Sequence, residues 1–311
     1  MKKRTLLWII VAGFAVLAII AVTVDLMRTN NKTMTPTAGH TLKVVAAEDM
    51  WGSLASQLAG DKAQVLSIVS DPNADPHEYE STPNDARAVA DADLVIENGI
   101  GYDGWMDKLL SAGSSPGRLV LNVGDLIGKK EGDNPHVWYS PDYVNRTVLQ
   151  MEKDLESLDP ANAGYYEDRL KTVQSSLSVY QNNIALIKRQ FGGTKVAATE
   201  DIFAYLSDAA GLDLISPPEF TQAVAEGNDP PTPSIVEFDD QLNHNEPVVL
   251  VYNQQTVTPL TENVKALAAK RGIAVVPVTE TIQPAGTRFE DWMNAEIVAL
   301  GNALGASQLT K

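Results

Sequence analysis

Seven short runs of apolar, mostly β-branched residues limit the possible folds of this chain more than any other feature. Most of these runs are continuously apolar rather than alternating, which is typical of strands buried on both faces of a sheet. Segments with helical periodicity separate them, so the sequence predicts βαβ units and parallel sheets. The predicted strands are 41–47, 64–69, 93–98 and 119–123, and then 194–198, 247–253 and 273–278.

One long helix is predicted between the two sets of strands. From Tyr166 to Phe191, apolar residues recur at alternating spacings of four and three, and no Pro or Gly interrupts them. The same spacing occurs in coiled coils, but here the repeat is short and lies between two α/β halves. We interpret it as a connecting helix that packs along both lobes, starting after DPAN at 159–162 and ending at the glycine pair 192–193.

This order of elements predicts the α/β fold class, with two parallel-sheet lobes joined by the long helix. The 311 residues suffice for two lobes with a core each. A cleft between two lobes is a common place for a ligand to bind. The predicted segments are a membrane anchor or signal at 1–28, a tether at 29–40, an N-terminal α/β lobe at 41–160, the connecting helix at 161–193 and a C-terminal α/β lobe at 194–311.

The N-terminus has the features of a membrane segment. Three basic residues, Lys2 to Arg4, precede an uncharged apolar run from Leu6 to Val24, close to the ~20 residues that span a bilayer. Their charge places them in the cytoplasm and the rest of the chain outside. Signal-peptide cores are usually shorter, about 7–15 residues, so we favour an uncleaved anchor, with a cleaved signal and secretion as the alternative.

Composition excludes several classes of partner and site. The net charge is −16 and basic residues cluster only at the N-terminus, which argues against a nucleic-acid partner. The sequence contains no Cys, which excludes disulfides, zinc-thiolate sites, Cys nucleophiles and lipid attachment to a Cys. A metal site in this chain would therefore use His, Asp, Glu or backbone oxygen.

Two Pro-His pairs place imidazoles in similar positions. His77 and His136 each follow a predicted strand, at the edge of a parallel sheet where ligands collect. The preceding proline restricts the backbone and so presents each ring from a stiff loop. The alternative is a loop histidine with only local hydrogen bonds. His40 in the tether and His244 in a polar turn are expected to be solvated.

Two carboxylates follow strands of the second set. Glu200 lies just beyond the strand 194–198, and Glu280 just beyond 273–278, each separated from its strand by one Thr. Asp201 competes with Glu200, or it could complement the charge of a helix N-terminus. A solvated surface role is the common alternative for any one carboxylate. Two imidazoles with two carboxylates would suit Zn²⁺, Mn²⁺ or Fe²⁺ and would balance the charge of a dication.

Three segments together resemble a known family. They are DPHEYESTPNDARAVADADLVIENGIGYDGWMDKLL, NPHVWYSPDYV and TEDIFAYLSDAAGL. With the long helix they resemble the metal-cation substrate-binding proteins of ABC importers, the cluster A-I family for zinc and manganese, over roughly residues 40 to 306. The resemblance implies two α/β lobes bridged by one helix, with one ion between them.

The resemblance also implies four metal ligands. The family's first two histidines fall on His77 and His136, and its third position, often His, falls on Glu200. The fourth is usually Asp and falls on Glu280, whose side chain is longer by one methylene. The chain departs from the family in lacking the Cys that carries a lipid, and the predicted anchor would serve instead.

The function implied is capture of a divalent cation outside the membrane and its delivery to an ABC permease. On this hypothesis the protein is a monomer and not an enzyme, with no catalytic residues, and the ion, Zn²⁺ or Mn²⁺ with Fe²⁺ as a third candidate, is cargo. One alternative is an extracytoplasmic metal-dependent hydrolase, which would need an open metal position and a general base. Another is a surface adhesion module with a structural metal.

Overall fold

The structure is a computed structural model, and its described residues all belong to one compact unit, Thr41–Lys311. It describes residues 41–72, 76, 79–113 and 115–310. The predicted anchor and tether lie outside the described residues, and so does His77. Among the helices of the described residues, none is both long and apolar enough to cross a bilayer.

The described residues form eight β-strands and eleven α-helices. The strands are β1 (Leu42–Glu48), β2 (Ala63–Val69), β3 (Leu94–Glu97), β4 (Leu119–Asn122), β5 (Lys195–Ala198), β6 (Asp213–Leu214), β7 (Val249–Asn253) and β8 (Ala274–Val278). The helices are α1 (Asp49–Ala59), α2 (Pro83–Asp91), α3 (Gly104–Ala112), α4 (Val123–Ile127), α5 (Pro141–Leu158), α6 (Ala163–Phe191), α7 (Ala204–Ala209), α8 (Pro218–Ala225), α9 (Thr232–Asn243), α10 (Pro259–Lys270) and α11 (Phe289–Leu304).

The strands form two parallel sheets of four. Their orders are β2-β1-β3-β4 in the N-terminal lobe and β6-β5-β7-β8 in the C-terminal lobe. This confirms the predicted fold class of two α/β lobes with parallel sheets. The sequence analysis missed β6, because an edge strand of two residues, one of them Asp213, has too little apolar length to give a pattern.

The connecting helix α6 has 29 residues and ends where Gly192 follows it. Its buried apolar face consists of Tyr166, Val173, Leu177, Tyr180, Ile184 and Ile187. This face packs against α1 and α5 of the first lobe and α11 of the second. One hydrophobic core therefore runs from Trp51 through α6 to Trp292. A shared core of this kind holds the two lobes in a fixed relation to each other.

Candidate metal centre

Three of the four predicted ligands come together in the structure. His136, Glu200 and Glu280 each offer a ligand atom, and these atoms lie within 4.8 Å of one another. All three side chains are buried, with relative exposures of 0%, 1% and 0%. The position of His77 lies outside the described residues, so its role as a ligand stays a prediction. We call His136, Glu200 and Glu280 the buried cluster.

The sheet of the C-terminal lobe positions both glutamates. Strands β5 and β8 run parallel and end at the same edge, with β7 between them. Glu200 lies just beyond the end of β5, and Glu280 just beyond the end of β8. Because parallel strands present their carboxyl ends at one edge, the two side chains meet although they are 80 residues apart by their numbers.

A braced loop of the N-terminal lobe carries His136. The loop leads into a short 3₁₀ turn, Val137–Tyr139. Asn98 Nδ2 donates a hydrogen bond to the carbonyl oxygen of Pro135 (2.9 Å), and Trp51 Nε1 donates to Asn98 Oδ1 (3.1 Å). The loop is thereby fixed to the core, and the imidazole is held in place before any ligand binds.

Hydrogen bonds behind the ring determine which nitrogen of His136 faces the cluster. Its Nδ1 lies 2.9 Å from Asn134 Oδ1 and 3.2 Å from Asp201 Oδ1. Asn134 Nδ2 donates to the carbonyl oxygen of Asp201 (2.6 Å), which turns the amide oxygen toward the ring. Nδ1 therefore carries a hydrogen, and Nε2, which lies 3.8 Å from Glu280 Oε2, is the nitrogen available to an ion.

Asp201 therefore differs from Glu200 in its position. The sequence left open whether Glu200 or Asp201 would join the cluster. In the structure, Glu200 is part of the buried cluster, and Asp201 lies behind the imidazole. Burial lowers the pKa of His136, but the hydrogen bonds and charges of Asp201 and Glu280 outweigh it and raise the pKa to about 10. In the ion-free protein the ring thus carries a proton that partly offsets the carboxylate charges.

The environment of Glu200 also favours an added cation. Burial and the charge of Glu280 raise the pKa of Glu200 to about 7, against the lowering effect of the hydrogen bond from Asn253. Its Oε1 is buried and has no hydrogen-bond partner among the described residues. Buried polar atoms are normally paired, so this oxygen is a ready ligand for an ion.

Two further residues hold the glutamates, and the sequence analysis did not single them out. Tyr102 Oη from the first lobe donates to Glu280 Oε2 (2.7 Å). Asn253 Nδ2 donates to Glu280 Oε1 (2.6 Å) and Glu200 Oε2 (3.0 Å). Asn253 could have been found as a polar residue at the end of a buried strand. Tyr102 has no local signal, because its partner is 178 residues away.

A cavity of about 510 Å³ borders the buried cluster. Tyr102, Asn134 and Asp201, which contact cluster residues, line it together with Glu131, Asp133 and Glu226. Negative charge in the wall of a cavity raises the local concentration of cations. Another cavity, of about 680 Å³, is lined by Lys129, Tyr143 and Tyr205 and contains none of the predicted ligands.

The chemistry of the cluster fits a divalent transition metal. One imidazole nitrogen and two carboxylates form a borderline-hard donor set that Zn²⁺, Mn²⁺ and Fe²⁺ all accept. The two carboxylates would neutralise a dication in a site where an unpaired charge is costly.

Comparison with known proteins shows the family. Residues 44–303 match the family described as zinc-uptake complex component A, periplasmic (ZnuA). The manganese-binding lipoprotein MntA of Halalkalibacterium halodurans is 28% identical over 57% of this chain and 60% of its own length. The manganese ABC transporter substrate-binding lipoprotein PsaA of Streptococcus mitis is 31% identical over 56% of this chain and 61% of its own length.

Solved structures share the fold. The structure of the SBP FpvC from Pseudomonas aeruginosa in complex with Mn²⁺ aligns with a TM-score of 0.71 at 20% identity, covering 86% of this chain and 99% of that one. The chain spans about 60% of the length of the two curated relatives above. Since the family match extends over residues 44–303, the chain belongs to the ZnuA family of periplasmic zinc-uptake components.

Proposed function

We propose that this protein binds one divalent transition-metal cation, Zn²⁺ or Mn²⁺, outside the cytoplasm and delivers it to an ABC permease. The observation that carries the proposal is the buried cluster, in which His136 of one lobe meets Glu200 and Glu280 of the other. Membership of a family named for zinc uptake supports transport, and that name describes no enzymatic activity. The ion is the cargo, with Fe²⁺ as a third candidate.

We further propose that His77 completes the site as the fourth ligand. The resemblance places the family's first histidine there, and the loop that contains it follows β2 of the N-terminal lobe. Each lobe would then supply two ligands, and the cargo would bridge them. Two imidazoles and two monodentate carboxylates would satisfy a four-coordinate ion with protein groups alone.

Delivery requires a place outside the membrane and a membrane partner. The names of the two relatives above call them lipoproteins, but this chain contains no Cys to carry a lipid. We propose that the apolar segment at 1–28 anchors the protein instead, with the body extracytoplasmic and monomeric. Deleting the gene should then lower cellular zinc or manganese, and a copy of the gene without the codons for 1–28 should not restore it.

The proposal is tested by metal analysis of the purified chain. After removal of ions with a chelator, the protein is titrated with Zn²⁺, Mn²⁺ and Fe²⁺ in competition. We expect one ion per chain, lost in His136→Ala and in His77→Ala and retained in His244→Ala, since His244 is exposed. A chain that binds none of the three ions stoichiometrically would contradict the proposal, and steady turnover of a phosphoester or peptide would favour the hydrolase alternative.

A further inference from the structure

Asn253 occupies the central position between the two glutamates of the buried cluster. It is the last residue of β7, which lies between β5 and β8 in the sheet. Because Glu200 follows β5 and Glu280 follows β8, the side chain that ends β7 lies between theirs. Asn253 is 2% exposed, so bulk water does not compete for its amide.

The orientation of the Asn253 amide is fixed by its own oxygen. Asn253 Oδ1 accepts a hydrogen bond from the backbone N–H of Gln255 (2.9 Å). The amide nitrogen must therefore face the carboxylates, where it donates to Glu280 Oε1 (2.6 Å) and Glu200 Oε2 (3.0 Å). Thr256 Oγ1, at 3.1 Å, is a third neighbour of the same nitrogen.

These hydrogen bonds use one oxygen of each carboxylate. The other oxygen of Glu200, Oε1, is buried and has no hydrogen-bond partner among the described residues. The other oxygen of Glu280, Oε2, accepts from Tyr102 Oη and lies 3.8 Å from His136 Nε2. One neutral group thus holds two like-charged side chains together and occupies one oxygen of each carboxylate.

We propose that Asn253 is a positioning residue that makes both acidic ligands bind through one oxygen each and thereby favours Zn²⁺ over Mn²⁺. The inference rests on the proposed function and deepens it. Carboxylates that bind through one oxygen each, beside the imidazole of His136, keep the number of ligand atoms low, and Zn²⁺ prefers a coordination number of four in closed sites. Mn²⁺ prefers more oxygen ligands, which the glutamates could supply as bidentate ligands if Asn253 did not hold Glu200 Oε2 and Glu280 Oε1.

The test compares the unaltered chain with Asn253→Ala, which removes both donors, and Asn253→Ser, which keeps one hydroxyl donor. Asn183→Ala is the matched control, because Asn183 is also buried and its amide donates to Asn294 Oδ1 and Thr310 O, both at 2.7 Å. Three quantities are measured on each protein: the Kd values for Zn²⁺ and Mn²⁺, the absorption spectrum of bound Co²⁺, which reports coordination number, and the thermal unfolding of the ion-free form.

We expect Asn253→Ala to weaken Zn²⁺ binding about 10- to 100-fold, as loss of a group that orients a ligand commonly does. Mn²⁺ binding should weaken less, so that the preference for Zn²⁺ falls about tenfold or more. The Co²⁺ spectrum should shift from the intense bands of a four-coordinate ion to the weak bands of a higher coordination number. Asn253→Ser should be intermediate, and Asn183→Ala should change neither the preference nor the spectrum.

A folded Asn253→Ala or Asn253→Ser protein with the unaltered ion preference and the unaltered Co²⁺ spectrum would overturn the role of Asn253 and leave the proposed function standing. If Asn253→Ala does not fold, the Asn253→Ser protein decides by the same two readouts. If the unaltered chain itself binds no ion, both the proposed function and this inference fail.

Discussion

The two lobes both bury acidic side chains at the carboxyl ends of their parallel strands, but they deal with the buried charge differently. In the N-terminal lobe, Glu48, Glu97 and Asp103 are 1%, 4% and 2% exposed. In the C-terminal lobe, Glu200 and Glu280 are 1% and 0% exposed. Only the second pair lies within ligand distance of an imidazole among the described residues.

Burial raises the pKa of each acid of the N-terminal lobe and so favours its protonated form. Burial and the charges of Asp103, Asp49 and Glu97 raise the pKa of Glu48 well above its usual range. Burial raises the pKa of Glu97 to about 7 and that of Asp103 to about 6, although Asp103 accepts two backbone N–H groups. Glu97 and Asp103 accept hydrogen bonds from groups of their own lobe.

The acids of the C-terminal lobe are surrounded by hydrogen-bond donors and an imidazole. Asn253 and Tyr102 donate to them, and the protonated His136 partly balances them. The difference teaches that burial of carboxylates does not make a metal site. The site needs donors that fix the carboxylates around one point and an imidazole that can exchange its proton for the ion.

The largest effect expected from this comparison is on ion affinity. Glu280→Gln removes a negative charge from the buried cluster and replaces one carboxylate oxygen by an amide nitrogen. We expect it to weaken binding more than about 100-fold, which is a larger loss than removal of a group that only orients a ligand causes. The matched change in the first lobe, Glu48→Gln, should alter affinity less than about twofold, because Glu48 is not part of the buried cluster and its burial favours the neutral form. Competitive titration measures the ion affinity of both variants. Equal losses of affinity would show that the buried acids of the two lobes do not differ in their role in ion binding.

The next effect is on stability. Glu296 is partly buried and accepts hydrogen bonds from Tyr139 Oη (2.7 Å), Trp292 Nε1 (3.0 Å) and the backbone N–H of Thr279 (3.0 Å). Glu296→Ala would leave the backbone N–H of Thr279 unpaired and would remove one of the two acceptors of Tyr139 Oη and of Trp292 Nε1. We expect a loss of about 2 kcal/mol in the free energy of unfolding. Chemical denaturation measures it, with Glu296→Gln as the control that retains an acceptor oxygen.

Glu296 also gives the stability a pH dependence. Burial raises its pKa from 4.5 to about 8, despite the hydrogen bonds it accepts. Between these values the folded state binds a proton that the unfolded state has lost, so the free energy of unfolding falls as the pH rises through this window. In Glu296→Gln this fall should be smaller. An identical pH profile in the variant would show that Glu296 is ionised when buried.

A third effect is the pH dependence of ion binding. The raised pKa of His136, about 10, means that an ion must displace its proton at neutral pH, and Glu200, with a pKa of about 7, holds a second proton in acid. Affinity should therefore rise about tenfold per pH unit above neutrality and more steeply below it. Calorimetry in buffers of different ionisation enthalpy counts the released protons, and no proton release at neutral pH would contradict the charged imidazole.

The smallest effect concerns the first lobe alone. Glu97→Gln keeps an oxygen that can accept from Asn122 Nδ2, as Glu97 Oε1 does at 2.9 Å. We expect the free energy of unfolding near neutral pH to change by less than about 1 kcal/mol. Thermal unfolding measures this change. A large loss of stability would show that Glu97 is needed as a charged group, and the contrast between the lobes would then be weaker.

Much of the fold was predictable because local patterns specify it. Continuous apolar runs predicted seven of the eight described strands, and the four-three spacing predicted α6. Glu200, Glu280 and His136 could be predicted as ligands from their positions after predicted strands, where ligands of parallel sheets collect. The hydrogen bonds that prepare them were not predictable, since Tyr102 and Asn253 meet Glu280 across 178 and 27 residues and no local spacing records such contacts.

The most direct test of the central claim is a crystal structure of the chain loaded with Zn²⁺, with anomalous diffraction measured on either side of the zinc absorption edge. We predict one anomalous peak per chain, within coordination distance of His136 Nε2 and one oxygen each of Glu200 and Glu280. A peak elsewhere, or none at the buried cluster in a protein that binds zinc in solution, would contradict the account.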